Sequence, residues 1–172
     1  MKLFGLAGWS GSGKTTLVQG LLPELGRRGL TVSTIKHAHH SFDVDQPGKD
    51  SYEHRRAGAA EVLVSSSARW ALMHELRGAA EPSLDELVAR LAPVDLVIVE
   101  GFKGHVHDKL EVHRAALAKP LICREDPAVV AVASDGPIPG LRLPLFDIND
   151  IAAIAGFIVA HTGLGERARG VA

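Results

Sequence analysis

A single cysteine, Cys123, is the whole thiol content of this 172-residue chain, which excludes an internal disulfide framework. Basic excess is missing as well. Lys and Arg number 19 against 20 Asp and Glu, a formal net charge of −1, so no general positive field argues for wrapping nucleic acid. The longest apolar-rich run, residues 151–160, is too short to span a bilayer. A core strand beginning at Lys2 predicts no secretory or targeting leader ahead of it, and the cytoplasm is the expected compartment. Neither an internal repeat nor a linker long enough to divide the chain is visible. One domain over residues 1–164 is therefore expected, with a frayed, charged tail at 165–172.

What is present is a phosphate-binding pattern near the start. Gly8-Trp9-Ser10-Gly11-Ser12-Gly13-Lys14-Thr15, followed by Thr16, satisfies G-x-x-x-x-G-K-[ST] in full. An apolar strand precedes it and a helix follows. Glycines at 8, 11 and 13 free the backbone to take positive φ and turn its N–H groups toward an anion. The helix opening at Lys14 aims its unpaired N–H groups and positive dipole end at the same place. Lys14 adds a mobile charge for the β- and γ-phosphates, and the Thr15 hydroxyl suits Mg²⁺. Gly8, Ser10, Gly11, Ser12, Gly13, Lys14, Thr15 and Thr16 are thus the expected phosphate cradle, and nucleoside triphosphate binding is the expected activity.

The remaining pattern predicts an α/β chain with a mostly parallel sheet. Residues 2–7 form a nearly continuous apolar run, as a strand buried on both faces requires. A helix at 14–28 presents Leu17, Leu21, Leu22 and Leu25 inward, with Pro23 expected to kink or interrupt it. A strand at 31–36 completes strand–helix–strand. A short helix is expected at 51–57, capped by Asp50. Strands at 61–65 and 69–73 are separated by three residues, too few for a crossover, so they predict an antiparallel edge hairpin. Ser83-x-x-Glu86 is a capping box before a helix bearing Leu84, Leu87, Val88 and Leu91. Further strands are expected at 94–99, 110–113, 120–123, 129–133 and 143–146, and a last helix from near Asn149.

Position along these strands selects the other candidates, because ligands of open α/β sheets sit beyond the strands' carboxyl ends. Glu100 closes a buried strand beside Gly101, where a metal-linked carboxylate belongs, so Thr15 and Glu100 are the expected Mg²⁺ ligands. Asp43 or Asp45 is a further candidate for the Mg²⁺ shell. Asp95 starts the same strand as Glu100, at the wrong end for the site. His37, His39 and His40, with Lys49 further on, mark a loop leaving the ligand edge, suited to sensing a γ-phosphate or a partner. The histidine run also raises a nickel or zinc metallochaperone GTPase, although transition metals usually take about four fixed ligands. A small-molecule kinase is the other alternative; it calls for an arginine-bearing lid, and no compact arginine-rich insertion occurs. No N-K-x-D string is present, and Asp135 and Asp147 are equally placed to read guanine or to cap the next turn.

Taken together, the P-loop string, Ile35-Lys36-His37-Ala38-His39-His40, the stretch from Asp43 through Pro47-Gly48-Lys49-Asp50-Ser51, and Val99-Glu100-Gly101-Phe102-Lys103 resemble the molybdopterin-guanine dinucleotide biosynthesis protein B (MobB) family. Arg124-Glu125-Asp126-Pro127 and Val132-Ala133-Ser134-Asp135 extend the likeness, which spans nearly the whole chain. The resemblance implies a P-loop NTPase fold with helices on both sheet faces, binding GTP with Mg²⁺ and hydrolysing it weakly. It also implies a homodimeric adaptor that assists the molybdenum cofactor guanylyltransferase acting on molybdopterin. The related branch of P-loop proteins often carries an additional lysine early in the loop; Trp9-Ser10 stands there instead.

Overall fold

The computed structural model describes residues 1–38, 42–102 and 105–165. These divide into two compact units, one built from Met1–His37 together with the chain from Leu84 onward, the other from Ala38–Ser83.

The larger unit holds a six-stranded sheet. Its strands are β1 (Lys2–Ala7), β2 (Val32–Lys36), β5 (Leu96–Glu100), β6 (Lys109–His113), β7 (Val129–Ser134) and β8 (Leu145–Asp147). They lie in the order β2-β5-β1-β6-β7-β8, and every pair is parallel. Alternation sends Phe4, Leu6, Leu96, Ile98, Leu110 and Val112 into one core, which α1 (Lys14–Arg27) and α4 (Ile151–His161) cover. Val97 and Val99 turn to the other face, where Leu84 of α3 (Leu84–Val88) packs with Leu3 and Phe102. Burial on both faces is why these strands are apolar without interruption.

Helix α1 runs unbroken through Pro23, against the expected kink. Pro23 lies on the exposed side of the helix, so its missing N–H and its ring fall where water can compensate. Leu17, Leu21 and Leu25 are buried as expected, and Glu24 joins them in place of Leu22. The hydrogen bond from Arg28 Nε to Glu24 Oε1, 2.8 Å, holds that carboxyl below its usual range, with Arg27 adding to the effect. Helix α4 begins two residues later than Asn149, because Asp150 is its cap and accepts from Ala153 N at 3.0 Å.

A strand at 120–123 does not form. Ile122–Arg124 is a 3-10 turn, and its cause is distant in sequence. The fully buried Glu111 carboxylate in β6 accepts from Ile122 N at 2.8 Å and Cys123 N at 2.9 Å, bending the segment around itself.

In the smaller unit, β3 (Glu61–Ser65) and β4 (Trp70–His74) pair antiparallel, as the spacing predicts, but they make a two-stranded sheet of their own and not the expected edge of the six-stranded sheet, whose strands hydrogen-bond only among themselves. Helix α2 (Asp50–Ala57) has Lys49 as its cap residue, not Asp50, which instead contributes negative charge to the first turn. Its Arg55 is gripped by Asp45, Asp43 and Glu75, and hydrogen bonding to Asp45 raises the guanidinium pKa further.

Leu21 is completely buried between the sheet and α4. Leu21→Ala is expected to cost about 2–5 kcal/mol, read as a lower urea midpoint with an unchanged denaturant slope.

Candidate functional site

Strand order decides where the chemistry gathers. Strand β1 has β5 on one side and β6 on the other, so the chain changes direction across the sheet there. The glycine-rich loop leaves the carboxyl end of β1 at this switch point. Leu6 is paired with Glu100, and Glu100 is paired on its other side with Lys36. The loop, the strand-end carboxylate and a lysine are therefore set side by side by backbone register alone.

The loop is tightly organised. Gly8, Gly11 and Gly13 all have positive φ, and Gly13 is the left-handed residue from which α1 starts. Gly8 is required twice over: at φ +150° a Cβ would also lie 2.6 Å from Val112 O and 2.5 Å from Ser12 Oγ. Lys14 Nζ donates to Gly8 O at 2.7 Å and Trp9 O at 3.0 Å, bracing the loop from inside. Ser12 is buried, and its Oγ has no hydrogen-bond partner among the described residues. Buried hydroxyls are nearly always partnered, so this one has hydrogen-bonding capacity left over inside the loop. Ser10, Thr15 and Thr16 are exposed at the mouth of the loop and the first turn of α1. The Trp9 indole donates to Pro120 O at 2.9 Å, and Lys119 Nζ lies 5.7 Å from its ring centroid, so the loop crest is pinned to the segment after β6.

Thr15 and Glu100 line one cleft of about 160 Å³, together with Gln19, Thr34, Lys36 and Ile98. Glu100 is mostly buried, with Lys36 Nζ 3.8 Å from its Oε1. The turn after it requires a glycine: Gly101 has φ +98°, and a Cβ there would stand 2.7 Å from His37 Cβ. His37 N donates to Glu100 O at 2.8 Å, and the His37 ring lies against Phe102, centroids 4.9 Å apart and planes tilted by 54°. His37 thus belongs to the strand-end corner that carries Glu100.

Two residues to which the sequence pattern alone assigns no site role complete the arrangement. Lys36 is one, placed by its register with Glu100. Arg114 is the other: it follows β6 as Glu100 closes β5, and that strand-end position was the signal available for it. Its Nε donates to Ser12 O at 3.1 Å, and Nη1 is 3.8 Å from Asp135 Oδ2. Asp135 Oδ1 also accepts from Ala115 N at 3.1 Å. The arginine therefore joins the glycine-rich loop to one of the two candidate guanine-reading carboxylates. The other, Asp147, accepts from its own turn, from Asn149 N at 2.8 Å and Nδ2 at 3.1 Å.

Asp43 and Asp45 lie in the smaller unit, where both are ion-pair partners of Arg55. Lys49 caps α2 there. Asp95 accepts from Thr31 N and Thr31 Oγ1 at the amino end of β5, opposite the end that carries Glu100, a structural role in keeping with its exclusion from the site. His39 and His40 lie outside the described residues. Among the described residues, no group of three or more His, Cys, Asp or Glu side chains is arranged to hold a metal.

Comparison with known proteins finds relatives along most of the chain. The family described as molybdopterin guanine dinucleotide synthesis protein B matches residues 3–135. The chain is 47% identical over 160 residues to the molybdopterin-guanine dinucleotide biosynthesis adapter protein of Escherichia coli (strain K12), covering 91% of each chain. Identity to the adapter protein of the same description from Haemophilus influenzae is 44%, over 91% of this chain and 86% of that one. Among solved structures, a molybdopterin-guanine biosynthesis protein B is 28% identical and superposes with a TM-score of 0.74, covering 92% of this chain and 99% of its own.

The Glu100 corner gives a direct test of its backbone. Gly101→Ala is expected to lower stability by roughly 1–3 kcal/mol from the left-handed φ alone, before the contact with His37 is relieved. Urea unfolding of the variant measures the loss.

Proposed function

This chain belongs to the molybdopterin-guanine dinucleotide biosynthesis protein B family, and from that premise we propose that it is a GTP-binding adaptor, using Mg²⁺, for the guanylyltransferase that forms the guanine dinucleotide of molybdopterin. The observation that supports the nucleotide site is the single cleft shared by Thr15 and Glu100, at the foot of a glycine-rich loop with an unpartnered buried hydroxyl. The residues fit a triphosphate. Backbone N–H groups from Gly11 to Thr15 face an anion at a helix N-terminus, and Lys14 supplies the point charge. Thr15 and Glu100 would hold the metal, which when bound neutralises phosphate charge. Asp135, oriented by Ala115 N and Arg114, is the better placed of the two carboxylates to accept from guanine N1–H and N2–H₂. Hydrolysis is slow in this reading and serves the adaptor role. No helix among the described residues is long and apolar enough to cross a membrane, and we place the protein in the cytoplasm.

We propose in addition that it works as a homodimer. The hairpin presents Leu63, Leu72 and Trp70 on one face, 61%, 46% and 67% exposed. An isolated two-stranded sheet is marginal in water, and a face this apolar on an ordinary soluble chain marks an association surface. A second copy offers the same face, as a two-fold interface requires.

Calorimetry tests the site. Lys14→Ala should lower GTP affinity at least about tenfold, the loss of a charge-assisted contact; unchanged affinity would remove the assignment. Glu100→Gln should retain nucleotide binding while needing more Mg²⁺ to reach it, and superimposable metal titrations would contradict the role of Glu100. Sedimentation tests the dimer: Leu63→Ser combined with Leu72→Ser should shift the protein toward monomer at unchanged far-UV circular dichroism.

A further inference from the structure

Gly13, the residue from which α1 starts, is approached from the ends of two other strands. A Cβ built on it would stand 3.3 Å from Arg114 Nη2, 3.4 Å from Arg114 Nε and 3.7 Å from Ile148 Cδ1. The guanidinium that follows β6 therefore lies directly against the glycine-rich loop. The chain around it is fastened to that loop at two points. Arg114 Nε donates to Ser12 O, and six residues later Pro120 O accepts from the Trp9 indole. On its other side the guanidinium meets Asp135, which follows β7, with Nη1 3.8 Å from Oδ2. At that separation the two groups share charge but no hydrogen bond. Asp135 Oδ1 is taken by Ala115 N, whereas Oδ2 has no hydrogen-bond partner among the described residues. Both side chains are partly exposed, so a ligand can reach them.

We propose that Arg114 is the positioning residue for guanine selectivity, a role that rests on the nucleotide reading of the loop and of Asp135. Its planar guanidinium spans the gap between Ser12 O and the Asp135 carboxylate, holding the carboxylate in place with one oxygen unspent. Phosphates on the loop and a base at Asp135 are two ends of one ligand, and Arg114 fixes the span between their binding groups. A carboxylate free to swing into water loses side-chain entropy when it captures a base; one already held by Arg114 and Ala115 N loses less. Guanine presents two adjacent donors to such an oxygen, N1–H and N2–H₂, whereas adenine presents a lone pair at N1, which a fixed carboxylate repels. Arginine is the residue this needs, because a rigid fork serves two acceptors at once, whereas a lysine is a single point charge on a flexible stem.

The test is the ratio of GTP to ATP affinity, measured on the full-length protein with Mg²⁺, with inorganic tripolyphosphate as the probe of the loop alone. Arg114→Gln should lower the ratio about tenfold, whatever common loss the missing positive charge brings to all three ligands. Asp135→Asn should lower it as well, and the double variant should fall no further than Asp135→Asn, because the two side chains act as a unit. An equal loss for GTP, ATP and tripolyphosphate in Arg114→Gln, with the ratio unchanged, would show a brace for the loop only and overturn the proposal. So would losses of selectivity that add in the double variant. A ratio lowered by Asp135→Asn but untouched by Arg114→Gln would overturn the role of Arg114 and leave Asp135 as the base reader. A native ratio near one, or one that Asp135→Asn leaves unchanged, would remove the guanine reading itself and the role of Arg114 with it.

Discussion

Everything at the candidate site depends on one piece of backbone pairing, the parallel register that holds β5 between β1 and β2. Hydrogen bonds along these ladders set Leu6 and Lys36 on either side of Glu100. The glycine-rich loop then has no choice but to open beside that carboxylate. The register is in turn held by burial on both faces, since sliding a strand by one residue would swap the side chains that meet α1 and α4 with those that meet α3. Apolar packing thus fixes the distance between two polar groups that never need to touch each other.

The same logic explains what was legible beforehand. A loop whose pattern is local, Gly8 through Thr15, and strands apolar on both faces, such as β1 and β5, are written in consecutive residues, and their backbone follows that pattern. So was the place of Glu100, because it follows from strand direction alone. The parts that were not legible depend on partners far away in the chain. The turn at Ile122–Arg124 exists because a glutamate eleven residues earlier spends its charge there. Lys36 becomes a neighbour of Glu100 only once strand order is known. Pro23 breaks a helix on propensity alone, yet α1 continues, since tertiary burial of Leu17, Leu21 and Leu25 outweighs one missing bond on the solvent side. The helix at Asp50 differs by a single residue, within the range over which helix ends are fixed by local competition for caps.

Arginine is used to fasten both units. Arg55 is consumed within its unit by three carboxylates, Arg114 ties the glycine-rich loop to Asp135, and Arg28 donates to Ala152 O from the end of α1. A guanidinium with its donors engaged stiffens what it touches.

The strand order also bears on how the chain is made. Strands β1 and β2 are neighbours in sequence but not in the sheet, for β5 lies between them. A ribosome that has released only the first two strands has therefore exposed β1 and β2 with no strand between them to pair with until β5 emerges. The inserted residues 38–83 lengthen that wait, while adding little to the entropy of closing the loop. Until β5 arrives, the amino-terminal strands carry unpaired backbone groups, the condition in which a nascent chain is open to misassembly.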